Sequence, residues 1–259
     1  MLATTDGQAL VAALEAFYAS TTSRLGFGNK PLTGALDCFY RSLNPSLERF
    51  RLERQKIDRT EATQFSVFDY IEPDENRLSD IIHDLLDPYG QHGQGTLFLS
   101  AFLEAIGVPT GANQRSWRPK REDPALYCAS PSRRLDITLD AGDFGVGIEN
   151  KPFAAEGDDQ LKDYWVHLRT KYGENYILVY LPGDGSDPVS LGRTNLARLR
   201  SAGRFRSLSY PTDLCQWLKG CCKDCKAEKV RWFLRAFIDY VQGTFSLGDA
   251  DEVPTNESD

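Results

Sequence analysis

The sequence predicts a mixed α/β fold, in which a central mixed sheet contains a strand hairpin, is flanked by helices and follows a helical N-terminal extension. Three observations predict it. Apolar residues recur at helical spacing through most of the chain, the spacing changes to alternation between residues 135 and 151, and the continuous apolar run at residues 176–181 is typical of a buried strand. Because helices and strands alternate without an internal repeat, one sheet covered by helices is the expected architecture.

Length and charge bound the class of protein. The 259 residues, 41% of them hydrophobic, suffice for a large core in one or at most two domains, which excludes a wholly disordered protein. The longest apolar run is far shorter than the roughly 20 residues of a membrane helix, and no basic residue precedes Arg24, so we expect a cytoplasmic protein that contacts no membrane. The net charge of -7 argues against a protein that coats nucleic acid by bulk positive charge.

Residues 1–70 are expected to form a helical extension packed on the core. One apolar stripe at helical spacing covers residues 10–18 and a second covers residues 36–43. The second stripe is expected to end at Asn44-Pro45, because proline lacks the amide hydrogen that a helix interior requires. The predicted role of this segment is scaffolding.

Two sharper helices are predicted at the start of the core. Asp74 is the expected N-cap of the first, whose apolar residues repeat every 3.6 positions until Asp87-Pro88 ends it. The second covers residues 96–106 and is closed by Gly107.

The alternating segment predicts a hairpin with a defined register. Gly142-Asp143 fits the two-residue loop of a type II′ turn, in which glycine comes first. This turn places Asp136 directly opposite Glu149, with Cβ atoms about 4.5–5.5 Å apart on one face of the sheet. Two carboxylates at that distance repel each other unless a positive group lies between them, and a divalent metal ion would be such a group.

The residues that follow Glu149 support a metal site. Lys151 projects from the same face of the strand, and the backbone carbonyl of Asn150 offers a further oxygen ligand. Hard oxygen ligands suit Mg²⁺ or Mn²⁺.

The remaining elements complete the core, predicted over residues 71–243. They are a helix at 158–171, a strand at 176–181, a further strand at 207–210 and helices at 212–225 and 228–243. Residues 244–259 lack a hydrophobic period and are expected to form a disordered acidic tail. Because this tail holds five acidic and no basic residues, residues 1–243 carry a net charge of only -2, which weakens the objection to a nucleic-acid substrate.

The hairpin carries a recognisable motif. Arg134-Leu-Asp-Ile-Thr-Leu139 followed by Gly147-Ile-Glu-Asn-Lys151 resembles the Asp…Glu-x-Lys core of the PD-(D/E)XK nuclease superfamily. Gln160-Leu-Lys-Asp-Tyr164, on the next helix, resembles the Gln-x-x-x-Tyr element of exonuclease-like branches. No proline precedes Asp136, and that proline is frequently absent in the superfamily.

Motifs upstream resemble one bacterial family of predicted nucleases within this superfamily. These motifs are Glu75-Asn-Arg-Leu-Ser79, Leu85-Leu-Asp-Pro88 and His92-Gly-Gln-Gly95. The likeness spans residues 65–243 and implies a restriction-endonuclease-like core. It also implies a Mg²⁺- or Mn²⁺-dependent hydrolase of phosphodiester bonds in nucleic acid, DNA in particular, acting in bacterial anti-phage defence.

Residues and resemblance together nominate the site. The catalytic candidates are Asp136, Glu149, Lys151 and Gln160; the metal ligands are Asp136, Glu149, Asn150 and Glu75; the substrate contacts are Tyr164, Arg134 and His92.

Each assignment has an alternative. Glu75 in a first helical turn is also favoured by the helix dipole alone, and Glu149 and Lys151 could form an ordinary surface ion pair. Gln160 and Tyr164, four residues apart, could be a partly exposed hydrogen-bonded pair, and the glycines around His92 could simply make a turn. The fold as a whole could serve as a catalytically silent module that binds nucleic acid or protein. A second copy of the chain or an activating protein stays open as a partner.

Two compositional features are ambiguous. The six cysteines include a Cys-x-x-Cys at Cys222 and Cys225, but four of them fall in the segment 214–225, whose apolar helical stripe favours core packing over zinc or redox chemistry. The stretch between Asp187 and Asp213 contains five arginines and no acid, and either flanks the active-site cleft or forms a solvated mobile loop.

Overall fold

The computed structural model describes residue 16 and residues 30–62, 65–108, 115–128, 130 and 132–245. The chain divides into two units, residues 1–65 and residues 66–259. The stripe predicted at residues 10–18, apart from residue 16, and the predicted tail beyond residue 245 lie outside the described residues.

In the described part of the first unit lies a long helix, α1 (Lys30–Glu61), which continues through Pro45. The predicted end at Asn44-Pro45 is therefore wrong. A proline inside a helix costs about 3 kcal/mol, but the residues after it are mostly Arg, Glu, Leu, Lys and Gln, which favour the helix. An ion pair one turn apart, Arg54 to Asp58 at 3.8 Å, supports the same segment. The packing of this extension on the core stays a prediction.

The second unit is built on a five-stranded sheet in the order β1-β2-β3-β4-β5. The strands are β1 (Arg118–Pro124), β2 (Arg134–Asp140), β3 (Gly145–Lys151), β4 (Tyr176–Pro182) and β5 (Phe205–Ser207). The first three strands pair antiparallel and the last three pair parallel, so the sheet is mixed as predicted.

The hairpin of β2 and β3 has the predicted turn and register. The N–H of Ala141 donates to the carbonyl of Phe144 at 3.0 Å across the loop. Gly142 has φ +87°, the left-handed value that a type II′ turn requires at its first central position. The ladder runs from Asp140 opposite Gly145 to Ile137 opposite Ile148.

Helices cover both faces of the sheet. They are α2 (Phe68–Ile71), α3 (Glu75–Leu86), α4 (Leu97–Ala105), α5 (Gln160–Tyr172), α6 (Arg193–Ser201), α7 (Cys215–Asp224) and α8 (Glu228–Thr244). Apolar side chains of α5 and α6 form one buried cluster with the sheet, and those of α3, α4, α7 and α8 form another on the opposite face. A π-helical turn, Tyr210–Leu214, leads into α7. None of the helices in the described ranges has the length and apolar character needed to cross a membrane.

The ends of the core differ slightly from the sequence prediction. Phe68 is buried and stacks on Phe237 with ring centroids 5.3 Å apart, so α2 belongs to the second unit. Phe245, assigned to the tail, packs on the ring of Tyr210 at 4.4 Å. The packed core therefore begins a few residues earlier and ends two residues later than predicted.

Two elements are absent from the sequence prediction. These elements are strand β1 and helix α6. The alternative of a mobile loop between Asp187 and Asp213 is wrong, because this stretch contains α6, beneath which Leu196 and Leu199 are buried. Three of the five arginines of this stretch have local partners: Arg200 pairs with Asp187, Arg204 pairs with Glu174, and Arg198 lies over the ring of Trp165. The predicted strand at 207–210 ends earlier, as β5.

Three of the four cysteines between residues 214 and 225 are buried, as predicted, and Cys222 is partly buried. Cys215, Cys221 and Cys225 are buried in the apolar cluster beneath α7, and their thiols are free. Burial raises the pKa of Cys221 to about 12. The thiol of Cys221 is therefore neutral at physiological pH.

Candidate active site

Four elements meet at one end of the β2–β3 hairpin: the start of β2, the end of β3 and the first turns of α3 and α5. The structure brings together seven of the predicted residues, namely Glu75, Asp136, Glu149, Asn150, Lys151, Gln160 and Tyr164.

Asp136 lies where the regular ladder between β2 and β3 stops. Its carboxylate Oδ2 accepts the backbone N–H of Asn150 at 2.7 Å. The last ladder pair is Ile137 with Ile148, so the predicted pairing of Asp136 with Glu149 lies just beyond the ladder. The alternation of β2 also breaks here, because Leu135 packs in the cluster of α5 while Ile137 and Leu139 pack on the opposite face. Burial raises the pKa of Asp136 above its ordinary value, although the bond from Asn150 opposes that shift.

Glu149 is the most deeply buried carboxylate of the site, with 1% of its surface exposed. Its Oε1 accepts hydrogen bonds from Gln160 Nε2 at 2.6 Å and from Lys151 Nζ at 3.2 Å. Its Oε2 is buried and accepts no hydrogen bond from any residue that the structure describes. Burial, and then the negative charge of Asp136, raise the pKa of Glu149 well above its ordinary value. One buried oxygen is thus left for a cation.

Lys151 bridges two acidic side chains. Its ammonium donates to Glu75 Oε1 at 2.6 Å and lies 3.2 Å from Glu149 Oε1. Burial by itself lowers the pKa of Lys151, but Glu149 and Glu75 outweigh burial and leave that pKa above its ordinary value. Lys151 therefore stays protonated throughout the physiological range.

Glu75 points inward from the first turn of α3, as predicted, and Lys151 is its partner. Asp74 caps the same helix by accepting the N–H of Arg77 at 2.8 Å, which confirms the predicted N-cap. Lys151 holds Glu75, and no three His, Cys, Asp or Glu side chains in the described parts of the chain form a group that could hold a metal ion. A ligand role for Glu75 stays a prediction, and it requires the carboxylate to turn away from Lys151.

The side chain of Asn150 is clamped from two sides, which sequence reasoning missed. Its Nδ2 donates to Ser79 Oγ at 2.9 Å and lies 3.4 Å from the carbonyl of Glu75, both on α3. Its Oδ1 accepts the hydroxyl proton of Tyr210, in the π-helical turn, at 2.7 Å. The amide is fully buried and every polar atom of it is bonded. These hydrogen bonds, called the clamp below, fix the position of α3 relative to the end of β3.

Gln160 and Tyr164, the predicted pair on α5, both lie at the site. Gln160 Oε1 accepts the N–H of Gly157 at 2.8 Å, so that its Nε2 is aimed at Glu149 and at the hydroxyl of Tyr164, 3.1 Å away. Tyr164 is buried and donates its proton to the carbonyl of Arg134 at 2.5 Å. Its hydroxyl is therefore used inside the protein, whereas the side chain of Arg134 is exposed. Substrate contacts by both residues stay predictions.

His92 is the nominated residue that the structure leaves apart. Its ring is buried against Phe98, with centroids 4.8 Å apart. Nδ1 accepts the N–H of Gln94 at 3.0 Å, so Nε2 carries the proton and donates it to the carbonyl of Asp87 at 2.9 Å. Both ring nitrogens are thus bonded to the backbone of the turn that contains His92. A phosphate contact by His92 stays a prediction and requires one of these hydrogen bonds to break.

The donor set fits a divalent metal ion. Glu149 presents an unpartnered buried oxygen, Asp136 lies close enough to raise its pKa, and carboxylate and carbonyl oxygens are the ligands that Mg²⁺ and Mn²⁺ prefer. Without a cation the two carboxylates disfavour each other's ionised form, so a bound ion relieves an unfavourable arrangement.

One family comparison matches most of the chain. The model of a family described as the PD-(D/E)XK nuclease superfamily matches residues 65–239. The chain therefore belongs to this superfamily of nucleases, whose members generally use divalent metal ions and act on nucleic acid. The predicted resemblance and the predicted mixed α/β fold are confirmed. Neither the curated proteins nor the solved structures gave a match.

Proposed function

We propose that this chain is a Mg²⁺- or Mn²⁺-dependent deoxyribonuclease that hydrolyses phosphodiester bonds at the Asp136–Glu149–Lys151 cluster. The observation that carries the proposal is the unpartnered, buried Oε2 of Glu149, beside Asp136 and on the same carboxylate that Lys151 contacts. A buried carboxylate oxygen without a donor is costly in a purely structural hairpin, and a metal ion removes that cost.

The metal would be held by Asp136, Glu149 and the backbone carbonyl of Asn150, with Glu75 added once it leaves Lys151. A divalent ion in such a site polarises the phosphate and lowers the pKa of a bound water. Lys151, permanently charged, offsets the negative charge that grows on the phosphate during attack. Gln160 holds Glu149 in place and helps to orient the attacking water. Superfamily membership favours in-line attack that leaves a 5′-phosphate and a 3′-hydroxyl.

The proposal is tested by incubating the protein with circular DNA, linear DNA and RNA, each with Mg²⁺, with Mn²⁺ and with a chelator. We expect DNA cleavage that requires the metal. Lys151→Ala is expected to abolish cleavage with the fold intact by circular dichroism. Lys162→Ala, which removes an exposed lysine paired with Asp159, is the matched control and should cleave normally. Undiminished metal-dependent cleavage by Lys151→Ala would falsify the assignment.

A catalytically silent binding module is the second candidate. The observation that favours it is the pairing of Lys151 with both Glu75 and Glu149, which partly neutralises the site without a metal. Calorimetric titration with Mn²⁺ separates the two. Absence of binding, or equal binding by Asp136→Ala, favours the silent module, whereas binding that Asp136→Ala removes favours the nuclease.

We further propose a cytoplasmic role in bacterial anti-phage defence. Expression of the active chain in a bacterial host should reduce phage plaque formation, and expression of Lys151→Ala should not. Equal plaque counts for both proteins count against this role but leave the nuclease activity itself standing.

A further inference from the structure

A cavity of about 560 Å³ opens beside Lys151, at the carboxyl ends of β3 and β4. The parallel register places Tyr180 next to Glu149 and Pro182 next to Lys151, and both Tyr180 and Pro182 line the cavity. A nucleotide whose phosphate lies at Lys151 therefore has this cavity within reach of its sugar and base.

One wall of the cavity is an exposed aromatic ring. Phe153 follows Lys151 by two residues and exposes 55% of its surface, and its ring stacks on Phe245 at 5.3 Å with an angle of 26° between the planes. Phe245 in turn packs on the buried ring of Tyr210 at 4.4 Å. Phe153 is thus a flat apolar surface with rigid support, which is the kind of platform on which single-stranded nucleic acids stack their bases.

The charge of the cavity selects which part of a nucleotide it accepts. Three carboxylates line it, those of Glu156, Asp184 and Asp187, and Lys151 is the one basic residue among the described lining residues. Glu156 is bonded to Ser190, and Asp187 is paired with Arg200. Away from Lys151, these carboxylates disfavour backbone phosphates, and their oxygens can accept hydrogen bonds from the exocyclic amino groups of bases.

From this arrangement we infer that the cavity is a nucleobase pocket, and that the substrate is nucleic acid with an unpaired or flipped-out base next to the scissile phosphate. The inference rests on the proposed nuclease function and names its substrate class. A base stacked inside a duplex cannot enter a side pocket unless it first leaves the stack. Stacking on Phe153 supplies affinity, and Asp184 favours bases that carry an amino group.

The test uses single-stranded oligonucleotides in which an abasic site is moved one position at a time past the cleavage point. In the wild type, an abasic site at one position is expected to raise KM by about 5- to 150-fold, the range that base–aromatic stacking supplies. In Phe153→Ala, KM for the intact strand should rise by a similar factor, and the abasic site should add nothing further. Tyr89→Ala, which removes an aromatic side chain that is 89% exposed and outside the cavity lining, is the control.

A binding measurement keeps the inference separate from catalysis. Oligonucleotides carrying 2-aminopurine are mixed with the Glu149→Gln variant, which is expected not to cleave them. The same measurement is made with a double variant that also carries Phe153→Ala. Fluorescence quenching that depends on Phe153 supports the pocket. A wild type that cleaves DNA but shows no abasic effect, or quenching that persists without Phe153, overturns the pocket while the nuclease function stands. A wild type that cleaves no nucleic acid overturns the function, and the quenching result then decides the pocket alone.

Discussion

Replacing Glu149 by glutamine is expected to stabilise the metal-free protein at neutral pH and to abolish its stabilisation by Mg²⁺. Glutamine keeps an oxygen that accepts from Gln160 and removes a buried charge whose second oxygen has no partner among the described residues. The ion pair with Lys151 is lost in this variant. The pKa of Glu149 is nevertheless raised with that pair in place, so the free-energy cost of the buried charge exceeds the stabilisation by Lys151.

The direction of the pKa shift of Glu149 determines how the stability of the wild type changes with pH. Because the folded protein holds the proton of Glu149 more tightly than the unfolded chain does, the contribution of this group to stability is complete below the unfolded pKa of about 4.5. That contribution is lost as the pH rises through the raised folded pKa. The glutamine variant should therefore melt at a higher temperature than the wild type at pH 7.5, and the difference should vanish near pH 4.

Metal reverses the order of the two proteins. A ligand at one hundred times its Kd adds about 2.7 kcal/mol, or roughly 5–11 °C for a core of this size. Mg²⁺ should give this increase in the wild type and not in Glu149→Gln. Differential scanning calorimetry at pH 7.5 and pH 4, with Mg²⁺ or chelator, measures both effects. Glu104→Gln, on an exposed residue of α4, is the matched control. A metal-free variant that melts below the wild type at pH 7.5, or a variant that Mg²⁺ stabilises equally, would refute the reasoning.

Two further predictions concern the frame of the site. Ser79→Ala removes one of the two acceptors of Asn150 Nδ2, and Tyr210→Phe removes the donor to Asn150 Oδ1, so each should lower the free energy of unfolding by about 1–3 kcal/mol in urea titrations and weaken Mn²⁺ binding. Unchanged stability in both variants would show that the clamp is not needed. A chain ending after Phe245 should keep the melting temperature of the full chain, whereas one ending at residue 243 should melt lower, because it loses the ring that packs on Tyr210. Equal melting of the two truncated chains would contradict this boundary.

The part of the site that lies on the hairpin is readable from the sequence because it is local. A two-residue turn with glycine first fixes the register, and the register brings Asp136 to the end of β3 where Glu149 and Lys151 lie. The N-cap of α3 and the apolar stripes of α3 and α5 are local signals of the same kind. The family motif and the hairpin register therefore indicate the same residues, because both are properties of one short segment.

The elements that were missed lack such a signal. β1 is an edge strand in which no residue is buried, and its sequence is mostly charged residues between two prolines, as suits an edge that must not pair with other chains. α6 buries Leu196 and Leu199 alone, too few apolar positions to reveal a helical period.

Contacts between distant segments were also out of reach. The clamp on Asn150 joins residues 60 and 71 positions apart, and the pair of Lys151 with Glu75 joins residues 76 positions apart. Nothing in the local pattern of either segment specifies these partners. They depend on how α3 and the π-helical turn pack against the sheet, which only the folded structure shows.

The most direct test of the account is the rate at which the wild type, Glu149→Gln and Lys151→Ala cleave DNA in Mg²⁺, measured at equal protein concentration with each variant verified as folded. The account predicts cleavage by the wild type that a chelator stops, and no measurable cleavage by either variant. Cleavage by the folded Glu149→Gln or Lys151→Ala at the wild-type rate would contradict it, because the activity would then arise somewhere other than this cluster.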